Sequence, residues 1–343
     1  MAPAASAAGG YTPDRQSVPR ARADDGAHVS AVRRLNRHIT DLTITSPAMH
    51  AKMPVRMILP RSWSRAAHRT FPTLYLLQGA GDNYTSWARE TDIEKLASRA
   101  NVIVVMPEGG RAGFYTNWWN RGRKGGPNWE TFHTVELPQI LGRGYRANSR
   151  RAVIGLSEGG LGALNYAARH RGEYVFAGSF SGIVNTADKG TRVTIFLTCL
   201  REGADPIRLW GDPVRDRKRW DAHNPAHRVS RFRGVKVYLS AAAGMPERKD
   251  AARNLEMLRQ FSRASRAGQA SQIGRLVRSK AFAASVLEVP GYVPTAKFAQ
   301  ELRKAGVDVT AHLYLAGTHS WPYWQRELHR AWPSVLAALR AAR

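Results

Sequence analysis

The feature that most limits what this chain can fold into is an alternation of short apolar runs with helical stretches. TLYLLQG, NVIVVMPEGG, RAVIGLS, YVFAGSFSG, VKVYLSAAAG and VTAHLYLAG are brief, rich in β-branched residues and closed by Gly or Ser. SWARETDIEKLASRA, WETFHTVELPQILGRG, GGLGALNYAARHR and TAKFAQELRKAG lie between several of them and read as helices. Strand and helix in alternation require crossover connections, so the pattern predicts an α/β fold with a mainly parallel sheet covered on both faces. ITDLTITS and PVRMILP precede the series and read as an opening hairpin.

Residues 1–35, rich in Ala, Pro, Gly, Asp and Arg without an apolar period, read as a flexible tail. Residues 36–343 read as one domain with two helical excursions, at about 185–233 after the sixth main strand and 246–285 after the seventh. Both leave the carboxyl ends of strands, where open α/β sheets build their sites. The start, MAPAASAAGG, lacks the charged and apolar regions of a secretory signal and has the small-residue composition left after such a signal is removed.

Lys plus Arg is 52 against 26 Asp plus Glu, a net charge of +26. That field favours anionic partners: nucleic acid, acidic polysaccharide or an anionic membrane face. The basic residues are scattered (Arg33, Arg34, Arg61, Arg65, Arg121, Arg123, Lys124, Arg231, Arg233), and no helix-turn-helix, RRM or zinc-finger pattern is present. No nucleic-acid partner is therefore expected. Cys199 is the only cysteine, which excludes an internal disulfide; within VTIFLTCL it reads as a buried thiol. With no CxxC and no HExxH, neither a metal nor another cofactor is expected.

VIGLSEGGLGAL places Ser157 in Gly155-Leu156-Ser157-Glu158-Gly159, a G-x-S-x-G between a strand and a helical run. In that position the pattern means a nucleophile elbow of an α/β-hydrolase, whose chain order is Ser, then Asp or Glu, then His. His319, in LAGTHSWPYWQREL, follows the last strand, where the base of that fold belongs. Two backbone N–H groups must face a developing oxyanion: that of Glu158, after the nucleophile, and that of Ala80, in YLLQGAGDN. Glu158 is an odd neighbour for an oxyanion, so its side chain is expected to turn away into solvent. For the acid, Glu247, Asp250, Glu256 and Glu288 all lie between the seventh strand and His319, and the residues alone do not choose among them.

The stretches YLLQGAGDNYTSW, VIVVMPEGG, GFYTNWW, NWETFHTVELP, AVIGLSEGG, SFSG, LWGD and GTHSWPYW occur in order from about residue 36 to 335. Together they make the chain resemble the secreted mycolyltransferases of the antigen 85 type, α/β-hydrolase acyltransferases of mycolic-acid-bearing actinobacteria. The resemblance implies Glu288 as the acid, by its spacing from His319, with Glu256 in NLEMLR as runner-up. It implies trehalose monomycolate as acyl donor and trehalose monomycolate or cell-wall arabinogalactan as acceptor, in a secreted protein of the cell envelope. Gln78 and Gly81 depart from the pattern, which has Asp and Arg there to grip sugar and acyl chain; Gln78 can still hydrogen-bond a hydroxyl. Trp118 and Trp321 match aromatic positions beside the site, where packing is an equal reading for Trp321. Two rivals stand beside this expectation: a carboxylesterase or thioesterase of the same fold, and a non-catalytic wall- or matrix-binding relative.

Overall fold

A computed structural model describes residues 21–66, 68–245, 259, 263 and 291–341. Nine strands form one sheet: β1 (His28–Arg34), β2 (Ile39–Ser46), β3 (Ala51–Ile58), β4 (Phe71–Leu77), β5 (Ile103–Pro107), β6 (Ala147–Leu156), β7 (Tyr174–Phe180), β8 (Lys236–Met245) and β9 (Val309–Ala316), in the order β1-β2-β3-β5-β4-β6-β7-β8-β9. The pairs from β1 to β5 through β3 are antiparallel, and those from β5 through β4 to β9 are parallel.

The central strands are apolar throughout because helices cover both sheet faces. Their side chains divide with a period of two. Along β4, Phe71, Tyr75 and Leu77 join one core while Leu74 and Leu76 join the other; along β5, Ile103 and Val105 oppose Val104 and Met106. The first core is closed by α4 (Leu137–Tyr145), α5 (Glu158–Arg169) and the helix Tyr292–Lys304. The second is closed by the short helices α1 (Ser86–Glu90) and α2 (Ile93–Ala97) and by the C-terminal helix Trp321–Arg340. The mainly parallel, doubly covered sheet is the architecture expected from the alternation.

Several local outcomes differ from the sequence reading. The tail expected over residues 1–35 is too long: β1 pairs antiparallel with β2 inside that range, and Ala23 and Ala27 are buried. HVSAVRR has no clear alternation because β1 is an edge strand with little to bury; only Val29 is fully covered. Its place is fixed by charge as well, since Asp41 on β2 takes Arg33 of β1 at 2.9 Å and Arg56 of β3 at 2.7 Å. The stretch 86–100 breaks at Thr91 and Asp92 into α1 and α2. In WETFHTVELPQ the helix α3 (Trp129–Thr131) widens to a π turn over Phe132–Glu136 just before Pro138, whose missing N–H interrupts the α ladder. The C-terminal helix, 20 residues long, was not anticipated. Pro322 and Pro333 make its sequence look broken, yet a proline in the first turn gives up no intrahelical bond.

The excursion after β7 carries α6 (Lys189–Arg201), α7 (Ile207–Trp210) and α8 (Arg217–Ala222). Cys199 on α6 is buried, and burial pushes its thiol up to about 12. The excursion expected at 246–285 lies outside the described residues apart from Arg259 and Arg263. Among the described residues, no helix is long and apolar enough to cross a membrane.

His133, fully buried in the π turn, donates from Nε2 to the Glu108 carbonyl at 2.8 Å and accepts at Nδ1 from the Tyr166 hydroxyl at 2.8 Å. Burial lowers its pKa from 6.5 to about 4, so the folded protein holds it neutral. Below pH 6.5 the unfolded chain binds a proton that the folded one refuses, and its contribution falls as pH drops towards 4. Urea unfolding between pH 7 and pH 4 should show stability declining over that window. His133→Gln should flatten the decline by an amount on the order of a few kcal/mol; an unchanged slope would mean that another group carries it.

Candidate active site

The order of the strands reverses between β4 and β6, and that switch point is where the crevice of such a sheet opens. Ser157 stands there, between the last residue of β6 and the first of α5, at φ 53° and ψ −121°. A non-glycine residue is strained in that region and persists only when its surroundings dictate it. Here they do: the Ser157 N–H is tied to the Phe180 carbonyl at 2.9 Å. A Cβ on Gly159 would collide with the carbonyls of Leu77 and Gln78, so the first turn of α5 lies directly on the end of β4.

The loop after β4 closes over the same point. A Cβ on Gly79 would meet the Ser157 Cβ at 3.3 Å and Leu156 Cδ1 at 2.7 Å, which brings the following residue, Ala80, beside the serine. Among the described residues no backbone hydrogen bond uses the Ala80 N–H. The Glu158 N–H is the first of α5 and has no intrahelical acceptor. The two amides read from the sequence as oxyanion donors therefore flank one serine.

The side chain of Glu158 does not turn into solvent, contrary to expectation. It is 2% exposed, and its Oε1 accepts from the Phe114 N–H at 2.7 Å. Burial raises its pKa well above the ordinary carboxyl range, which favours the neutral acid. Its task is to hold GFYTNWW, where Phe114 and Tyr115 both take φ 51°. Tyr115 secures the same loop by donating to the Gln78 carbonyl at 2.9 Å, and Trp118 by donating to the Gly113 carbonyl at 3.0 Å.

Gln78 is also buried, at 1% exposure. Its amide N–H groups point to the carbonyl of Asp82 at 2.9 Å and to Glu108 Oε1 at 3.2 Å. Glu108, from VMPEGG, also accepts from the N–H groups of Gly110 at 2.9 Å and Tyr84 at 3.2 Å, so one carboxylate joins the loops after β4 and β5. Sequence reasoning did not single out Glu108; its only signal was a charged residue ending an apolar strand.

His319 follows β9 and is half-buried. Its ring meets Trp324 edge-on at 5.0 Å, and Trp324 Nε1 reaches the Ser181 hydroxyl at 3.3 Å. Ser181 adjoins Phe180, whose carbonyl holds the Ser157 N–H, so few contacts separate the histidine from the serine. Trp321 lies edge-on against Trp87 at 5.4 Å and Trp324 at 5.2 Å. Glu288 and Glu256 lie outside the described residues. Among the described residues no cluster of His, Cys, Asp or Glu could hold a metal ion.

A strained serine after a parallel strand, backed by two free amides, is the arrangement of serine esterases, and the sequence profile of the Esterase family matches residues 46–335. The chain belongs to the Esterase family. The esterase Rv1288 of Mycobacterium tuberculosis is 34% identical over 195 residues, which is 54% of this chain and 42% of that protein. The chain thus spans less than half the length of that relative. Ag85B of Mycobacterium leprae, named a diacylglycerol acyltransferase/mycolyltransferase, is 28% identical over 280 residues, 79% of this chain and 77% of that one. The crystal structure of Mycobacterium tuberculosis MPT51 superposes with a TM-score of 0.65 at 23% identity, covering 87% of this chain and 98% of that chain. An S-formylglutathione hydrolase from Agrobacterium tumefaciens gives 0.60 at 14% identity, covering 91% and 99%. The resemblance to the antigen 85 proteins and the α/β-hydrolase fold are both borne out, and esterase and acyltransferase relatives alike support an enzyme.

The anchoring role of Glu158 has a measurable consequence. Glu158→Gln keeps an acceptor for Phe114 and adds no charge, so the melting temperature should stay within about 2 °C of the parent. Glu158→Ala strands a buried N–H and leaves a cavity, a loss of about 2–4 kcal/mol in chemical denaturation. Equal losses for both would overturn the assignment of a neutral anchor.

Proposed function

We propose that the protein is a serine-dependent acyltransferase that moves a long-chain, mycolyl-type acyl group from a sugar ester to a second hydroxyl. The observation that carries the reading is Ser157 at φ 53° with the Gly79–Ala80 backbone packed against it. His319 takes the proton from the Ser157 hydroxyl as Oγ attacks the ester carbonyl. The tetrahedral oxyanion is received by the N–H groups of Ala80 and Glu158, fixed before charge develops. Collapse expels the sugar alkoxide, which takes the proton from the imidazolium and leaves an acyl-enzyme. An acceptor hydroxyl then reverses these steps. Glu288, with Glu256 as alternative, would orient His319 and stabilise its cation without accepting the proton.

The mycolyl assignment is supported by the name and coverage of the Ag85B relative. Trehalose monomycolate as donor, with trehalose monomycolate or arabinogalactan as acceptor, is the substrate set we propose, at a secreted location on the anionic cell envelope. Trp118 and Trp321 would line the acyl side, where an aromatic wall restrains water, and Gln78 would act on the sugar by shaping its loop. A second reading, a carboxylesterase, is favoured by the higher identity to Rv1288 and by the turning of Gln78 into the protein rather than towards a ligand.

Intact-mass analysis after incubation with trehalose monomycolate or a short-chain analogue tests the proposal. A single acyl adduct is expected, absent in Ser157→Ala and discharged by trehalose into diester. His319→Ala should lower acylation about a hundred- to ten-thousandfold. Discharge to free acid alone, whatever the acceptor, would establish the esterase instead; no adduct with any ester would sink both readings.

A further inference from the structure

Next to the proposed oxyanion donor Ala80 lies a group of charges that the acyl-transfer chemistry does not use. Glu202, at the end of α6, has a side chain only 5% exposed and is held between two arginines from different parts of the chain. Arg111, from the loop after β5, meets its Oε2 through Nε at 2.8 Å and Nη2 at 2.6 Å. Arg201, from the last turn of α6, meets its Oε1 through Nε at 2.7 Å. Among the described residues no further hydrogen bond occupies Arg111 Nη1 or either terminal nitrogen of Arg201. The arginine side chains are 66% and 49% exposed.

The group abuts the catalytic loop itself. Gly81, at φ 79°, donates its N–H to the Arg111 carbonyl at 2.7 Å. A Cβ on Gly81 would meet Glu202 Oε1 at 2.8 Å and Arg201 Nη2 at 3.5 Å. The space beside residue 81 is therefore filled by a carboxylate whose two guanidinium partners face outward. Around His319 the ring of Trp324 lies edge-on, and half-buried Trp321 packs against Trp324 and Trp87. Aromatic rings beside His319 and a cationic rim beside Ala80 would sort a substrate by chemistry: acyl chain to the rings, alcohol portion to the arginines.

We propose that Arg111 and Arg201, fixed on Glu202, form an anion-binding subsite that selects acyl esters whose alcohol portion carries a carboxylate or phosphate. The carboxylate of Glu202 is consumed by its partners, leaving one net positive charge and only N–H donors. Such a surface suits an acceptor-only anionic group, and the planar guanidinium fork matches carboxylate and phosphate oxygens. Both arginines are specificity-determining residues, and neither touches the reacting atoms. The inference rests on Ser157 being the nucleophile.

The test compares 4-butyryloxybenzoate with its methyl ester at fixed ionic strength, in the parent and in Arg111→Gln and Arg201→Gln. Each substitution should lower kcat/KM for the anionic ester about tenfold, through KM, and change the neutral ester less than about twofold. A parallel measurement needs no chemistry: calorimetric binding of the ether analogue 4-butoxybenzoate, beside its methyl ester, to the same proteins. The parent should favour the anion, and the double variant should lose the preference. Equal losses on both esters would reduce the cluster to a clamp on the loop, and an unchanged ratio or an ether that binds no better than its methyl ester would overturn the proposal outright. If the parent turned over neither ester, the nucleophile reading would fail while the ether titration still judged the subsite.

Discussion

The close approach of α5 to the end of β4 is the constraint on which the site depends. At Gly159 the backbone of the helix's first turn lies on the carbonyls of Leu77 and Gln78, and at Gly79 the returning loop lies on Ser157. A Cβ at Gly159 has no room, and one at Gly79 would press on Ser157 Cβ at 3.3 Å. With both in place Ser157 is forced into its φ 53° conformation, and the N–H groups of Ala80 and Glu158 are left beside it. The strain at the serine is thus held by the packing of two parallel strands and one helix, elements buried on both sheet faces. A site built in this way is fixed before a ligand arrives, as electrostatic stabilisation of a developing charge requires.

How far the fold was legible follows from burial. Strands β4 to β8 announced themselves because helices cover both faces of the sheet there and their interiors are written as apolar runs. Strand β1 did not, because it is held at the edge by hydrogen bonds and by Arg33 on Asp41, and such an edge leaves little trace in hydropathy. The C-terminal helix hid behind two prolines, although Trp324, Leu328, Ala331, Val335 and Leu339 follow a helical period and are all buried.

The candidate site divides in the same way. The placing of Ser157, Ala80 and the Glu158 amide side by side was legible because a backbone motif specifies it, and that of His319 after the last strand because chain order does. Side-chain directions were not. The sequence cannot show that GFYTNWW folds over Glu158 and buries it, since that depends on two residues at φ 51° and on a hydrogen bond between positions 44 residues apart. Gln78 escaped for a related reason: its partners Asp82 and Glu108 come from two loops that meet only in the folded chain.

The basic composition acquires structure in this light. A carboxylate removed from water needs more than one donor to replace its hydration. Asp41 takes Arg33 and Arg56, Glu130 takes Arg169 and His170, Glu202 takes Arg111 and Arg201, and Glu327 takes Arg326 and Arg330. In each group the carboxylate side chain is at most 7% exposed, while Arg33, Arg111 and Arg330 remain 63%, 66% and 43% exposed. Part of the +26 charge is therefore not a diffuse coat. It consists of arginines pinned in pairs on Asp41, Glu202 and Glu327, each of these groups leaving positive charge at the surface in a fixed orientation. A fixed cation loses less side-chain entropy on meeting an anion than a free lysine does. Where such a group falls at the surface of the outer strands, it tightens the sheet edge; at Gly81 it falls on the rim of the crevice.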